Sequence, residues 1–592
     1  MKKTKKVLVC TPIDKLIPKN KKNILIFPPN LVSNSISPVV KNFKHKEPKF
    51  RWSNKSILYQ DYVYLKKFYE KSLDSLSKSL NEHHKKNYSK KFWRILIGPW
   101  LSSILFVIFE RYYEIKSCYN KYKIDQVNFL RINNNVNLIP IEIEDYLGHV
   151  HNILWNQYLY QEIISNLFEK KKILYVDGIV NKGFPKRIKS IKKTKINSLI
   201  TKIFNFNPIN KFYNYFLSST YLGMIDELKL SLKLKQFPIF YEKKELLSIS
   251  KIDKETRNKI GKKNNLKNNF EKTLYKIAIN KIPIYLLEDF KNLCRISKNL
   301  NYPNKPKVIF SSNFLWYDLA TMCYSAMKIE NETKLIYGQH GGCYGINKII
   351  FSEDHEIKIS DRYISWGWKK NNEKINNFGI ISNRRKFSRK ENSDKLLILF
   401  RVLNKYFFSM GSGVETELAK DYISYCTSFF NNLSSEIRKN TVLRLQTNSA
   451  DSDYQNEVLK NFSKKNGNLK LSNSTFFSDC NNSKLIVNTC NSTPFLQTIS
   501  LNFPSIVIWN KLNNPIRKEA IKYIGLLHKN KILFYDPKKA AKFINKIWEN
   551  DINEWWLSNK TQYAIKKFSE IFSKNNVNIL SNLKDQIKNY EN

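Results

Sequence analysis

The sequence lacks most of the features that place a protein in a class at sight. Its 592 residues include eight cysteines, and no two of them form a C-x-x-C pair. We therefore predict neither a structural zinc site nor a disulfide framework, and such scattered thiols are typical of a reducing compartment. Walker A, G-x-G-x-x-G and G-x-S-x-G motifs are also missing, which disfavours kinase, hydride-transfer and serine-hydrolase functions.

Long apolar runs are scarce as well. The longest, Ile95–Phe109, has 15 residues, whereas a spanning helix needs about 20. We predict a buried loop and helix here, with a membrane-contacting segment as the alternative. The run Val7–Cys10 behind the basic first residues is too short for a signal peptide. We expect a cytoplasmic protein that can lie peripherally at the inner membrane face.

Acidic residues are few: 50 Asp and Glu stand against 101 Lys and Arg, a net charge of +51. This field favours anionic partners such as nucleotides, phosphorylated lipids, nucleic acid or an acidic membrane surface. A composition rich in Lys, Asn and Ile, as an AT-rich genome produces, is an equally simple explanation. Because no zinc finger, RRM signature or basic-zipper pattern is present, we expect no nucleic-acid partner.

Glycine is the most unevenly used residue. Only 16 occur, and five of them lie in the 35 residues KLIYGQHGGCYGINKIIFSEDHEIKISDRYISWGW, from Lys334 to Trp368. This stretch predicts a strand, a tight polar loop, an irregular segment and a second strand. Glycines allow a ligand to approach the backbone closely, so we interpret the loop as functional. An ordinary strand-ending turn is the alternative.

The order of apolar runs predicts an α/β protein with two Rossmann-like lobes and a central cleft. Residues 1–370 form the predicted N-terminal lobe, with a helical, Lys-rich insertion at about 33–280. A linker at 371–394 leads to the C-terminal lobe, 395–592, where strands and helices alternate. Open α/β sheets bind ligands at the carboxyl ends of their strands, and the candidate site residues fall at such ends.

In the N-terminal lobe, His340 is the candidate general base, and Asp318 is the candidate residue that orients it. His355 stands between Asp354 and Glu356, which should favour its charged form. A metal site from His355, Glu353 and Asp361 matches no ligand spacing, so we expect no metal. The loop residues that we assign to the acceptor or the cleft are Gln339, Gly341, Gly342, Tyr344, His355 and Glu356.

In the C-terminal lobe, a predicted strand leads into a helix at Asn491, Ser492 and Thr493. Free N–H groups in the first turn of such a helix can bind phosphate, although an ordinary capped helix has the same sequence. Arg401 and Arg444 lie at predicted strand ends. Each can clamp a diphosphate or form a salt bridge with a nearby acid.

The motifs QHGG-x-YG, FSEDHE, SDRY and WGW closely resemble a bacterial family of transferases from surface-carbohydrate gene clusters. That family is similar to the GT-B glycosyltransferases and the teichoic-acid-type glycerophosphotransferases. The resemblance implies two Rossmann-like lobes, a nucleotide-activated donor in the C-terminal lobe, no catalytic metal, and His340 as the base. Relatives carry a Glu that holds the donor ribose where this chain has Gln497.

We therefore expect a metal-independent transferase that moves a sugar or polyol phosphate from a nucleotide-activated donor to a hydroxyl acceptor. The donor is a substrate, and no cofactor is expected. The predicted partners are the nucleotide-linked donor, a carbohydrate or lipid-linked acceptor, and the inner membrane face. The alternatives are a nucleotide-sugar epimerase or hydrolase on the same fold, and a non-catalytic protein that binds an anionic partner.

Overall fold

The computed structural model of the chain is an α/β protein built on three parallel sheets. It describes residues 4–29, 42–131, 138–168, 172–177, 201–247, 250–370, 372–381, 390, 393–401, 403–404, 406–410, 419–445, 452–467, 469–510 and 515–591. The Lys-rich stretch 186–195 and residues 371, 382–389 and 391–392 of the predicted linker lie outside these residues.

The first sheet has the strand order β3-β2-β1-β4-β5. Its strands are β1 (Lys6–Leu8), β2 (Ile24–Ile26), β3 (His45–Lys46), β4 (Gln126–Arg131) and β5 (Lys172–Asp177). The helices that accompany it are α1 (Lys55–His84), α2 (Lys90–Lys121), α3 (Ile143–Val150) and α4 (Ile153–Leu167).

The second sheet has the order β10-β9-β8-β7-β6. Its strands are β6 (Tyr215–Leu217), β7 (Val308–Ser311), β8 (Lys334–Gly338), β9 (Arg362–Ser365) and β10 (Ile375–Asn377). The helices between them are α5 (Met224–Lys233), α6 (Lys254–Lys262), α7 (Asn269–Ile279), α8 (Phe290–Lys298), α9 (Leu319–Glu330) and α10 (Phe351–Ile359).

The third sheet has the order β13-β12-β11-β14-β15-β16. Its strands are β11 (Leu396–Phe400), β12 (Thr441–Leu445), β13 (Lys470–Leu471), β14 (Leu485–Asn488), β15 (Ser505–Ile508) and β16 (Leu533–Phe534). Counted within this sheet the order is 3-2-1-4-5-6, the Rossmann order. Its helices are α11 (Ala419–Asn431), α12 (Ser435–Lys439), α13 (Ser452–Lys465), α14 (Phe476–Asn481), α15 (Thr493–Ser500), α16 (Lys518–Lys529), α17 (Pro537–Glu549) and α18 (Ile552–Trp556).

The predicted class, α/β with Rossmann-like parallel sheets in both halves, is confirmed. Residues 1–377 carry two parallel sheets of five strands each. The segment 33–280 contributes β3 to β6 as well as helices, and β10 lies inside the predicted linker. These strands have two to six residues, too few for a clear alternation in the sequence. The division into lobes stays a prediction.

The apolar run Ile95–Phe109 lies in the middle of α2, a single helix that continues through Pro99. By length and composition this helix could cross a membrane, but its apolar window is entirely buried by protein. It belongs to a hydrophobic core that also contains Phe495, Leu496 and Trp509 from the C-terminal half. The two halves therefore share one core.

The last two helices, α19 (Asn559–Phe572) and α20 (Ile579–Lys588), carry the chain back to the second sheet. The backbone N–H of Lys574 donates to the carbonyl of Trp366 at 2.9 Å. Leu583 and Ile587 of α20 pack with Leu230 of α5 and with the apolar residues of β6 to β9.

Candidate functional site

The loop after β8 is held in shape by the buried side chain of Gln339. Its Oε1 accepts hydrogen bonds from the backbone N–H of Trp366 (3.0 Å) and from Nε1 of Trp368 (2.8 Å). Its Nε2 donates to the carbonyl of Gly341 at 2.7 Å. Gln339 therefore shapes the loop, and its amide is already committed to protein partners.

His340, the next residue, faces a buried carboxylate. Its Nδ1 lies 3.0 Å from Oε1 of Glu356, whose side chain is fully buried, whereas the His340 side chain is 24% exposed. Glu356 also accepts hydrogen bonds from Trp316 Nε1 (3.0 Å), Tyr344 OH (3.0 Å) and Tyr363 OH (3.1 Å). The imidazole and the carboxylate are thus in close contact, although Nδ1 makes no hydrogen bond of good geometry among the described residues.

Two tyrosine rings enclose the imidazole of His340. Tyr344 meets it edge-on, with ring centroids 5.6 Å apart, and Tyr221 lies parallel to it at 6.3 Å. Tyr221 is 41% exposed and has a φ of 63°, a conformation that is costly for a bulky residue. The sequence analysis missed Tyr221 because it lies in the Lys-rich region without clear periodicity.

Asp318 does not orient His340. It caps α9 by accepting hydrogen bonds from the backbone N–H (3.2 Å) and Oγ1 (2.7 Å) of Thr321. It is buried, and burial raises the pKa of its carboxyl group. Glu356 takes the place that the sequence analysis gave to Asp318.

His355 is a core residue. Its ring lies against Trp316 at 4.9 Å, and a Cβ added to Gly98 of α2 would come within 2.7 Å of its Cε1. Burial, followed by the charge of Arg94, lowers its pKa to about 3. The expectation that acidic neighbours would favour its charged form is wrong, because FSEDHE forms helix α10 and not an irregular segment. The loss of solvent around the buried ring therefore has a larger effect on the pKa of His355 than the acidic residues beside it in sequence.

Among the described residues there is no group of three His, Cys, Asp or Glu side chains arranged to hold a metal. The acids of the alternative metal site have other partners. Glu353 accepts from Gly345 N at 2.8 Å and pairs with Arg517 at 2.9 Å. Asp361 pairs with Lys91 at 2.9 Å.

The glycine-rich loop meets the start of α15 in the other half of the chain. The N–H of Gly342 donates to Oγ1 of Thr493 at 2.8 Å, and the thiol of Cys343 donates to the carbonyl of Asn491 at 2.7 Å. A Cβ on Gly342 would lie 2.4 Å from the carbonyl carbon of Ser492 and 2.5 Å from the nitrogen of Thr493. Only glycine permits this approach.

A second set of contacts joins the two halves beside the loop. Lys348 N donates to the carbonyl of Pro515 (2.8 Å), and Arg517 N donates to that of Ile346 (2.9 Å). Together with the ion pair between Glu353 and Arg517, they fix the segment before α16 against the loop. The two predicted site loops therefore lie next to each other.

The turn at the carboxyl end of β14 contains buried amides without partners. Asn488 and Asn491 are 1% and 5% exposed, and neither side-chain oxygen nor nitrogen has a hydrogen-bond partner among the described residues. Ser492 is the N-cap residue of α15, but its side chain makes no capping bond. Buried polar groups in such a state are uncommon and are suited to bind a polar ligand. Asn488 was absent from the predicted site.

The two arginines of the predicted donor site, Arg401 and Arg444, have different surroundings. Arg401 is buried at the end of β11, and its guanidinium carbon lies 4.9 Å from the centre of the Tyr422 ring. Arg444 Nη1 pairs with Asp479 at 2.8 Å and also donates to the carbonyl of Ser474. Arg444 therefore forms the local salt bridge that was the alternative for it. Gln497 is half-buried on α15.

The fold is an α/β protein with three parallel sheets, and the loop that carries the candidate base His340 contacts the N-terminus of α15 through Gly342 and Thr493. The family described as LIC12162 family transferase matches residues 6–587. The chain belongs to this family of transferases. Comparison with curated proteins gives no match.

Three solved structures are similar to the chain. MurG from Acinetobacter baumannii has 10% identity, 64% of this chain and 99% of that chain covered, and a TM-score of 0.30. Anabaena Alr3699/HepE, in complex with UDP and glucose, has 12% identity, with 52% of this chain and 81% of that chain covered and a TM-score of 0.31. WaaG, a glycosyltransferase involved in lipopolysaccharide biosynthesis, has 11% identity, with 63% of this chain and 99% of that chain covered and a TM-score of 0.27. At TM-scores below 0.5 these similarities carry no conclusion about this chain.

Proposed function

We propose that this transferase moves a sugar or polyol phosphate from a nucleotide-activated donor to a hydroxyl acceptor in bacterial surface-polysaccharide biosynthesis. The observation that carries the proposal is the position of the His340–Glu356 pair. It lies on the loop that contacts the N-terminus of α15 through Gly342 and Thr493. A proton acceptor and an anion-binding element thus meet at one junction.

The C-terminal lobe would hold the donor. The N–H groups at the start of α15 favour phosphate oxygens, and the amides of Asn488 and Asn491 are available for hydroxyl or base groups. Arg401, at the end of β11, supplies a positive charge on the same sheet. The proposal requires neither a metal nor a cofactor apart from the donor.

The acceptor hydroxyl would enter beside His340 and Tyr221. Nε2 of His340 takes its proton while the acceptor oxygen bonds to the anomeric carbon or the phosphorus of the donor, and the bond to the leaving phosphate oxygen breaks. Glu356 stabilises the imidazolium that forms, as a buried carboxylate does beside a catalytic histidine. The charge that develops on the leaving phosphate is met at the helix N-terminus.

A panel of CMP-, CDP-, UDP- and GDP-linked donors tests the proposal. One donor class should bind, and its group should be transferred only when a hydroxyl acceptor is added. His340→Ala should abolish transfer while donor binding persists, and His83→Ala, at an exposed histidine of α1, is the control.

Two results would refute the proposal. Donor turnover without any acceptor would indicate an epimerase or hydrolase. Full transfer by His340→Ala would remove its role as the base.

A further inference from the structure

Exposed apolar side chains are concentrated in one part of the N-terminal half. Of the 17 large hydrophobic residues that are exposed in the described chain, nine lie between residues 203 and 247. We call seven of them the apolar surface: Ile203, Phe206, Ile209, Phe212, Ile225, Leu232 and Phe237. Phe212 is 82% exposed and Phe206 is 70% exposed. A cluster of this kind on a protein surface marks an interaction site.

These residues stand on a rigid support. The ring of Phe204 packs on Phe237 and Phe240 at centroid distances of 6.0 and 5.7 Å, which joins the segment before the turn at 208–212 to the segment after α5. Asn205 Nδ2 donates to the carbonyl of Phe240 at 2.7 Å, and Lys211 Nζ donates to that of Leu300. The turn therefore holds Phe206 and Phe212 outward in a fixed position.

The solvent-facing side of helix α5 adds apolar residues and a lysine to the apolar surface. Ile225, Lys229 and Leu232 are spaced i, i+4 and i+7, so they share one face, and all three are exposed. The opposite face, with Leu230, packs against α20. A solvent-facing stripe of this kind, apolar with interspersed lysine, is typical of helices that lie on a lipid surface.

The charge around the apolar surface is positive. Lys202, Lys229, Lys233 and Lys235 are exposed. Of the two acids of α5, Asp226 is half-buried, and Glu227 is buried and hydrogen-bonded by Thr220. With a net charge of +51, two copies of the chain repel each other. The partner must therefore be anionic and must also offer an apolar phase. An anionic bilayer meets both requirements, and nucleic acid meets only the first.

We propose that the apolar surface docks on an anionic lipid bilayer, with its Phe, Ile and Leu side chains in the acyl boundary and the lysines at the headgroups. Tyr221, between β6 and α5, stacks on His340. Because Tyr221 lies four residues before Ile225 of the apolar surface, docking brings the lipid surface near this residue. That last step rests on the proposed function, since it implies a lipid-linked acceptor, whereas the docking itself does not.

Vesicle flotation tests the docking without donor or acceptor. The full chain should float with phosphatidylglycerol-containing vesicles and not with pure phosphatidylcholine. Phe206→Ser with Phe212→Ser should weaken binding about tenfold or more, and Lys229→Gln with Lys233→Gln should also weaken it. The control is Ile521→Ser with Leu557→Ser, which removes two apolar residues of the C-terminal half that are 57% and 58% exposed.

Three outcomes would overturn the proposal. The chain floats equally with both kinds of vesicle, the Phe206/Phe212 variant floats like the parent chain, or the only effect of that variant is the loss of a dimer. Thermal melting shows that each variant is folded, as expected for exposed positions. His340→Ala should float like the parent chain. If it also transfers normally, the proposed function fails while the docking stands.

Discussion

Nδ1 of His340 lies 3.0 Å from Oε1 of Glu356, a side chain with no solvent exposure. This pair joins the loop after β8 to α10, and three hydrogen-bond donors hold the carboxylate in place. Glu356 is therefore a positioning residue for His340, and its effect can be measured separately from donor binding.

Glu356→Gln should lower kcat about 100-fold or more, because a neutral amide does not stabilise the imidazolium formed during proton transfer. The KM for the donor should stay unchanged, since the donor is held by the other lobe. Steady-state kinetics give both quantities. Asp318→Asn is the matched control, because it also converts a buried carboxyl to an amide, but at a helix cap. An equal fall in kcat for both variants would contradict the role of Glu356.

Gly342→Ala should destabilise the protein by about 1–3 kcal/mol, because the added methyl would meet the backbone of Ser492 and Thr493 at about 2.5 Å. Donor affinity should fall as well, since the start of α15 must shift. Gly341→Ala is the control, because the nearest atom to its Cβ is Thr493 Oγ1 at 4.0 Å. Urea denaturation and donor titration measure both effects. Equal behaviour of the two variants would show that the loops are not in contact.

Asn491→Ala should weaken donor binding about tenfold, in line with the loss of a hydrogen bond to a polar ligand. The free energy of unfolding should change little, because its amide has no partner among the described residues. Asn156→Ala provides the contrast, since Asn156 Oδ1 accepts from Nε and Nη2 of Arg111. That variant should lose stability and keep its donor affinity. Calorimetric titration and thermal melting distinguish the two patterns.

His355 should make the protein less stable in acid. Its pKa is about 3 in the folded protein and about 6.5 in an unfolded chain, so only the unfolded state takes up this proton between these values. Stability from this source is complete above about pH 6.5 and falls by about 1.4 kcal/mol per unit as the pH drops toward 3.

Buried carboxyl groups also titrate in this pH range, so the contribution of His355 must be measured as the difference between the parent and the variant His355→Leu. Burial raises the pKa of Glu142 and of Glu227 to about 7, and these groups act in the opposite direction. The slope of stability against pH should therefore be less positive in the variant than in the parent between pH 4 and 6. Parallel curves from urea denaturation would contradict the neutral state of His355.

A chelator should leave transfer unchanged. In the proposed mechanism the leaving phosphate is met by N–H groups at the start of α15 and by Arg401, and not by a metal ion. Activity after dialysis against EDTA, with and without added Mg²⁺ or Mn²⁺, is the measurement. A requirement for either ion would exclude this part of the mechanism.

The sequence by itself determined the local elements at the site. Apolar runs predicted the strands before the His340 loop (β8) and before Asn491 (β14), and those that end at or near Arg401 (β11) and Arg444 (β12). The clustered glycines indicated the loop of His340. The turn at Asn491–Thr493 was predicted as the start of a helix, and α15 begins at Thr493. These features depend on neighbours within a few residues, so a single chain suffices to predict them.

Only the tertiary structure decided which of these elements meet. Glu356 rather than Asp318 lies beside His340, Tyr221 reaches the site from a region without periodicity, and the first half of the chain forms two sheets. His355 stays neutral although acidic residues flank it, because burial against α2 outweighs the charges next to it in sequence. Burial and carboxylate pairing arise from contacts between distant segments, and the free energy of such contacts is not encoded in local patterns.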